Sequence, residues 1–266
     1  LSIMGGGSLM KKVLLIADRP GWAYDILAQY LVEGLIEWQC EVAYIVNIRR
    51  KPREFDVSDY DVVFFFLWYD AMRYGPDFKG FSFDKTCVGV HSHASWLKRG
   101  ISLQQAKEIC ESFAACGVIS SLLESELGLN NCFLTPNGVK SNRFPLSEIP
   151  PTDLLKFMWV GNPSVSHHGD NKGFESIIKP VFEQLEGVEL ITATPANPVS
   201  HDAMGEFYSS GHILMCMSLH EGGPLPVIEA MHCGRPVIST EVGIVPEIVE
   251  HDVNGWIVDR SRSALT

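Results

Sequence analysis

The feature that most constrains the fold is a regular alternation of short apolar runs with longer amphipathic segments, from Lys11 to Asp259. The short runs are rich in Val, Ile, Leu and Phe, as buried strands are, and the longer segments carry apolar residues at helical spacing. This alternation predicts parallel strands joined by helices that cover both faces of a sheet. The predicted strands are KVLLIAD, CEVAYIV, DVVFFFLW, TCVGVHSH, CGVISS and NCFLTPNGV, then LLKFMWVG, VELITAT, HILMCMS, PVIST and NGWIVD.

A segment rich in Pro and Ser, residues 141–153 (SNRFPLSEIPPTD), interrupts the alternation. Neither a helix interior nor a central strand tolerates such proline content, so the segment is predicted to be a linker. Residues 11–140 and 154–266 are then two doubly wound, Rossmann-like α/β domains of similar size, expected to face a cleft. Residues 1–10 are expected to be a tag or tail. No helix follows the last predicted strand, which suggests truncation before a C-terminal closing helix.

The net charge of -11 is unevenly spread along the 266 residues. Residues 1–150 carry 15 Lys and Arg against 17 Asp and Glu, whereas residues 151–266 carry 6 against 15. Such a surface repels phosphate backbones, so no nucleic-acid partner is expected. The seven cysteines form no Cys-x-x-Cys pair, which favours reduced thiols and a cytoplasmic location. The longest apolar run, residues 62–68, is far shorter than the roughly 20 residues that span a bilayer, so no transmembrane segment is predicted.

The segment LHEGGPLPVIEAMHCGRPVIST, residues 219–240, joins a predicted strand to a predicted helix. The strand is expected to end near Ser218 and the helix to begin near Pro224, since a proline in the first turn needs no amide hydrogen. The helix amides would then face the carboxyl end of the sheet, where they can bind anions and hydroxyls. Gly222 and Gly223 would let the backbone approach a ligand closely.

Two carboxylates flank this loop, Glu221 before the helix and Glu229 inside it. At the rise of a helix they lie several ångströms apart, which suits two parts of one extended ligand. The alternative is an ordinary helix N-terminus with favourable nearby acids, which explains either Glu alone but does not require both.

The same segment resembles the signature of the family 4 retaining glycosyltransferases of the GT-B fold. That signature is a Glu, seven residues, a second Glu, and then Ala-Met, a Gly, Pro-Val-Ile and a Thr. The resemblance implies that residues 154–266 bind a nucleotide-diphosphate sugar, with Glu221 on the hydroxyls of the donor sugar and Glu229 on the nucleotide ribose. The loop residues implied to face the sugar and the phosphate are Gly222, Gly223, Pro224 and Leu225.

The phrase GDNKGFESII resembles the Lys-Gly helix start of the same family, in which the lysine neutralises the donor diphosphate; Lys172 takes this role. A lysine beside a helix N-terminus is unfavourable for the helix dipole, which a bound anion would explain. The alternative is an exposed, solvated lysine. The family commonly has an arginine after the preceding strand, where this chain has Asn162. The adjacent His167 and His168 lack the carboxylate spacing of a metal site and are expected on a loop surface.

The first domain carries weaker matches to the family. The family places a histidine near the reacting sugar at the end of the strand TCVGVHSH, and His91 matches it best; His93 is one alternation further along. An ordinary strand-end histidine is the alternative. Gly21 resembles the glycine loop beneath the donor phosphates, although Trp22 replaces a second glycine. TPNGV, residues 135–139, matches the family's Pro-Asn-Gly-Val turn.

The resemblance implies a hexosyltransferase-type glycosyltransferase (EC 2.4) that is retaining and metal-independent. It would move a sugar to a hydroxyl of an unknown acceptor (a saccharide, a lipid or another molecule) on the side of residues 11–140. No cofactor or metal is expected, because cations and amides can stabilise the departing diphosphate. The rivals are a non-catalytic nucleotide-sugar-binding protein and a GT-B sugar-nucleotide epimerase, and the Glu-x7-Glu string counts against the epimerase. The expected catalytic residues are His91 and Glu221, and the expected donor-binding residues are Gly21, Lys172, Gly222, Gly223, Pro224, Leu225 and Glu229.

Overall fold

The computed structural model describes residues 10–92, 94–151, 154–163 and 170–265. His93, His167 and His168 lie outside the described residues, and so does the expected tag apart from Met10. In the described part of the chain, no helix is both long enough and apolar enough to cross a membrane.

Contacts divide the chain into two compact units. The first unit takes the described residues up to Val90 with Ser95–Val118 and Leu127–Phe133, and the second takes those of His91–Ala94, Ile119–Glu126 and Leu134–Thr266.

The first unit is built on a parallel sheet that has six strands within the described residues. Its order is β2-β1-β3-β4-β5-β6, and the interior strand β1 is buried from Val13 to Ala17 because helices cover both faces. The strands are Lys11–Ala17 (β1), Trp38–Tyr44 (β2), Val62–Phe65 (β3), Thr86–Val90 (β4), Ala115–Val118 (β5) and Cys132–Leu134 (β6).

The helix that begins at Leu103 has a side-chain cap: Ser102 Oγ accepts from the Gln105 amide at 3.2 Å, and Gln105 Oε1 accepts from the Ser102 amide at 2.9 Å. This reciprocal capping box satisfies two amides that a helix start otherwise leaves unpaired. The α-helices up to residue 127 are Ala23–Gly34 (α1), Ile45–Ile48 (α2), Trp68–Tyr74 (α3), Ala94–Leu97 (α4), Leu103–Glu111 (α5) and Ser121–Leu127 (α6), with 3₁₀ turns at Pro52–Glu54, Gly75–Asp77 and Phe83–Lys85. Of these, α6 belongs to the second unit apart from Leu127.

The second unit repeats the architecture with a sheet of five described strands in the order β11-β10-β9-β7-β8. The strands are Leu155–Val160 (β7), Val188–Ala193 (β8), Ile213–Cys216 (β9), Val237–Ser239 (β10) and Gly255–Ile257 (β11). The helices are a π-helical turn at Phe174–Ile178 that continues into Lys179–Phe182 (α7), Met204–Ser209 (α8), Leu225–His232 (α9) and Val245–Ile248 (α10), with 3₁₀ turns at His201–Ala203 and Ser263–Leu265.

Alternate residues of the second sheet enter two separate apolar cores. Met158 and Leu214 pack on one face with α8 and α9, whereas Trp159 and Met215 pack on the other with the π-helical turn. Successive side chains of a strand point to opposite faces, so this division shows that both faces are covered. Phe144 is fully buried in the first of these cores, which holds part of the predicted linker against the second unit. The role of residues 141–153 as a linker between two domains stays a prediction.

Several predicted elements differ in extent from the structure, since β4 ends at Val90 and β6 at Leu134. The strand expected through Trp68 ends at Phe65, because Trp68 opens α3 and its indole Nε1 donates to Ser95 Oγ at 2.9 Å. The helix expected to start beside Lys172 is a π-helical turn followed by a short α-helix. It starts from Gly173 at φ +69°, where a Cβ would overlap the Met217 carbonyl oxygen.

Candidate functional site

The order of strands in the second sheet selects one edge as a candidate site. In doubly wound sheets, ligands bind at the carboxyl ends of the strands where the winding direction reverses. Here the reversal lies between the neighbours β7 and β9. Lys172 follows β7 and Glu221 follows β9, so the topology alone brings these two sequence-predicted residues to the same edge.

Lys172 and Glu221 form an ion pair at this edge, with Lys172 Nζ 2.9 Å from Glu221 Oε1. Ser218 Oγ donates to the same carboxylate oxygen at 2.8 Å. The side chains are 31% and 18% exposed, so the pair is partly shielded but open to a ligand. Desolvation acts to lower the pKa of Lys172, but the adjacent Glu221 carboxylate outweighs it and raises that pKa. The lysine is therefore a fixed positive charge at neutral pH.

The segment that carries Lys172 is tied to the loop after β9 by hydrogen bonds on its N-terminal side. The Leu219 amide donates to the Asn171 carbonyl at 2.7 Å, and Asn171 Nδ2 donates to the His220 carbonyl at 3.1 Å. These bonds fix the backbone of the Lys172 segment relative to the residues immediately before Glu221. The backbone just before each partner of the ion pair is thus held in place.

Arg260 also fastens this segment, and sequence reasoning did not single it out. Its Nε donates to the Met217 carbonyl at 3.1 Å and its Nη2 donates to the Asp170 carbonyl. The Asp170 carboxylate in turn accepts from the Ser176 amide at 2.7 Å, which satisfies an amide at the start of the π-helical turn. No local sequence signal could have linked Arg260 to residues so far upstream.

The loop between β9 and α9, which contains Gly222 and Gly223, packs too closely for a side chain at Gly222. A Cβ there would overlap the His91 carbonyl oxygen and lie 2.8 Å from Ile119 Cδ1, all within the second unit. The Gly222 carbonyl accepts from the Ile244 amide at 2.8 Å. At Gly223, Asn137 Nδ2 donates to the carbonyl oxygen at 3.0 Å. The loop is therefore held by backbone contacts on several sides.

His91 lies against this loop, as its carbonyl contact with Gly222 shows. Its side chain is half-buried, and the residue belongs to the second unit although it directly follows β4 of the first sheet. The structure thus brings His91 to the predicted sugar-facing loop, whereas a catalytic role for its imidazole stays a prediction.

The helix α9 starts from the loop at Pro224, whose carbonyl accepts from the Val227 amide at 2.9 Å. Pro224 is the N-cap residue with φ -63°, and Leu225 is the first helical residue, so the sequence prediction of the start is off by one position. Pro226 has no amide hydrogen, and the amides of Val227 and Ile228 donate to the Pro224 carbonyl, which leaves the Leu225 amide as the donor that the first turn of α9 can offer an anion.

Glu229 occupies the second turn of α9 and is 6% exposed. The Tyr208 hydroxyl on α8 donates to its Oε2 at 2.7 Å. Desolvation raises the pKa of Glu229 to about 7, and the hydrogen bond from Tyr208 acts against that rise. Tyr208 was not singled out from the sequence, because nothing local relates it to a glutamate 21 residues further on.

Gly21 belongs to the first unit and lies between β1 and α1. Its φ of +74° favours glycine, and its amide donates to Asp25 Oδ2 at 2.7 Å. The neighbouring Trp22 is exposed, with the Arg19 guanidinium 4.1 Å from its ring centre. A donor-binding role for Gly21 stays a prediction.

Comparison with known proteins places this geometry in a family context. Residues 193–265 match the family Glycosyl transferases group 1. An uncharacterised glycosyltransferase of Methanocaldococcus jannaschii is 31% identical over 68 residues, which cover 25% of this chain and 17% of that protein. The chain therefore matches less than a fifth of this relative's length.

Solved structures extend the likeness to nearly the whole chain. Sucrose-phosphate synthase from Thermosynechococcus elongatus superposes with a TM-score of 0.75 at 16% identity, covering 96% of this chain and 88% of that one. Anabaena HepE, solved in complex with UDP and glucose, gives 0.62 at 16% identity with the same coverages. The GT-B fold class with two Rossmann-like domains, expected from the sequence, is confirmed. The match to the group 1 glycosyltransferases lies within the second unit.

Proposed function

We propose that this protein is a glycosyltransferase that moves a sugar from a nucleotide-diphosphate sugar to an acceptor hydroxyl. The observation that carries the proposal is the Lys172–Glu221 ion pair at the carboxyl edge of the second sheet, where the winding direction reverses. Residues 193–265, which include Glu221, match the group 1 glycosyltransferases. A fixed cation beside a hydroxyl-binding carboxylate suits a ligand that has a diphosphate next to a sugar.

In the proposed complex, the second unit holds the donor. Lys172 and the Leu225 amide would contact the diphosphate, and the loop of Gly222, Gly223, Pro224 and Leu225 would face the sugar. Glu221 would accept hydrogen bonds from sugar hydroxyls, and Glu229 from the ribose. UDP-glucose is the first donor to test, because HepE has been solved with it.

The chemistry requires the bond between the anomeric carbon and the diphosphate oxygen to break with its electron pair going to that oxygen. The acceptor oxygen then bonds to the anomeric carbon, and its proton passes to the departing phosphate. Lys172 and the Leu225 amide would stabilise the growing negative charge, and His91 would lie beside the reacting sugar. We propose the retaining outcome of family 4, with departure and attack on one face of the sugar, and catalysis without a metal ion.

We further propose a cytoplasmic location and a saccharide, lipid or other hydroxyl-bearing acceptor. The location is supported by the free thiols of all seven cysteines. The unbalanced negative charge of residues 151–266 supports the absence of a nucleic-acid partner.

The second candidate is a nucleotide-sugar-binding protein without transfer activity. It is favoured by Asn162, which stands where the family commonly has an arginine, and by the partial neutralisation of Lys172 by Glu221. Such a protein would bind the donor but would not accelerate its breakdown or transfer.

A thermal-shift panel of UDP-, GDP- and ADP-sugars tests both candidates, because a ligand that binds only the folded state raises the melting temperature. We expect at least one to raise it, and we expect release of the matching nucleoside diphosphate when mixed saccharide and lipid acceptors are added, with or without EDTA. Binding without release would favour the second candidate. No shift with any donor would contradict both.

Lys172→Met should reduce the shift, with Lys179→Met as the matched control. Lys179 is an exposed lysine that pairs with Glu175.

A further inference from the structure

The contact between Tyr208 and Glu229 has the geometry of a support for a ligand-binding carboxylate. In the described part of the chain, Glu229 accepts one hydrogen bond, at Oε2 from the Tyr208 hydroxyl. Its other oxygen, Oε1, does not lie buried without a hydrogen-bond partner. A carboxylate held through one oxygen can present the other in a single orientation.

The tyrosine is itself rigidly held. Tyr208 is fully buried among the apolar residues shared by α8 and α9. Its backbone carbonyl accepts from Arg235 Nε at 3.1 Å, and Arg235 is also buried. A phenol fixed by packing on its ring and by a hydrogen bond on its backbone can impose its orientation on the group that it contacts.

We propose that Tyr208 is a positioning residue of the donor site, which holds Glu229 so that Oε1 accepts a hydroxyl of the nucleotide ribose. This inference rests on the proposed function, since it takes Glu229 as a donor contact. Tyr208 itself touches no ligand in the proposal.

The ionisation of Glu229 gives the proposal a distinctive signature. Only the carboxylate offers two acceptor oxygens, and burial brings the pKa of Glu229 to about 7 while the Tyr208 hydrogen bond acts to lower it. The other titratable or charged groups near the pair are the thiol of Cys233, the C-cap residue of α9, and, beside it, Arg235. Burial raises the pKa of Cys233 to about 11, so this thiol stays neutral in the range where Glu229 titrates.

The test is calorimetric titration of the full chain with UDP, GDP and ADP and with their 2′-deoxy forms, between pH 6 and pH 9. For the wild type we expect the tightest diphosphate to bind with constant affinity above pH 8 and more weakly below pH 7. Tyr208→Phe should weaken it about tenfold at pH 7, since a hydrogen bond to a charged group is lost. The affinity of Tyr208→Phe should rise at a higher pH than that of the wild type, and it should approach the wild-type affinity at pH 9.

Two further variants separate this role from simple loss of folding. Glu229→Gln should bind more weakly at high pH, with an affinity that no longer depends on pH in this range and with less preference for the ribose over the 2′-deoxy form. Tyr60→Phe is the matched control, because it removes another tyrosine hydroxyl bonded to a carboxylate, that of Glu41 at 2.6 Å in the first unit. It should follow the wild-type curve.

The outcomes distinguish this inference from the proposed function. If the wild type binds a diphosphate and Tyr208→Phe follows the same pH curve with the same ribose preference, Tyr208 has no positioning role and the proposed function still stands. If the wild type binds none of the three diphosphates, the proposed function fails and this inference fails with it.

Discussion

Lys172 Nζ and Glu221 Oε1 lie 2.9 Å apart although 49 residues separate them in the chain. Each follows a different strand, and the two strands are neighbours only because the winding of the sheet reverses between them. The pair therefore exists as a consequence of topology. It leaves the lysine charged in the absence of a ligand, and a bound diphosphate would compete with Glu221 for the same cation.

Replacement of Lys172 by Met should weaken the binding of a nucleoside diphosphate by about tenfold to a hundredfold, since a charge-assisted contact to phosphate is lost. The measurement is calorimetric titration at low and at physiological salt. The wild-type affinity should fall with added salt, and the variant should fall less. An unchanged affinity in Lys172→Met would remove this residue from the donor site.

Replacement of Gly222 by Ala should destabilise the loop, because the new methyl group would overlap the His91 carbonyl oxygen. We expect a loss of about 1–3 kcal/mol in unfolding free energy, as for other overpacked positions, together with weaker donor binding. The matched control is Gly138→Ala, where an added Cβ meets nothing within 4 Å. Similar melting temperatures for the two variants would contradict the packing described for the loop.

Replacement of Glu229 by Gln should change how stability depends on pH. The pKa of Glu229 is raised in the folded protein from 4.5 to about 7, so the folded state binds this proton more tightly than the unfolded chain does. Its contribution to stability is complete below about pH 4.5 and is lost as the pH rises through about 7. The unfolding free energy of Glu229→Gln, relative to that of the wild type, should therefore rise by up to about 3 kcal/mol between pH 4.5 and pH 8. Denaturant unfolding at both pH values measures this, and an equal difference at both would contradict it.

Replacement of Arg235 by Met should strongly destabilise the second unit. Arg235 is 1% exposed and donates to the carbonyl oxygens of Ser147, Glu148, Tyr208 and Ser209. Their loss should cost about 3 kcal/mol or more, because buried acceptors would be left unpaired.

The matched control for Arg235 is Arg143→Met, which removes an ion pair with the exposed Asp202. It should change the unfolding free energy by less than about 1 kcal/mol. Differential scanning calorimetry of the two variants compares the effects, and equal melting temperatures would show that the Arg235 contacts contribute little.

Much of the fold could be predicted from local patterns. The alternation of apolar runs with amphipathic segments predicts both doubly wound sheets, and each sheet has buried strands at the predicted places. The end of β3 was predicted three residues too late, since the run 62–68 is apolar throughout and gives no sign of where strand becomes helix. The π-helical turn after Gly173 was also missed, because Gly173 lies against the backbone of Met217, which follows β9 and is distant in the sequence.

The candidate site was only partly readable from the sequence. The residues 221–229 could be found because the glycines, the prolines and the two acids are close together in the chain. Arg260 and Tyr208 could not, because their partners lie on other elements and no spacing rule connects them.

The sequence by itself determined the elements of each unit and the chemistry of the loop between β9 and α9, since strand and helix periods and glycine content are local properties. Tertiary structure decided which charges meet. The strand order brought Lys172 to Glu221, and the packing of α8 on α9 placed a tyrosine hydroxyl on a buried glutamate. Burial and partners set the ionisation of these groups, and both are created only when distant parts of the chain come together.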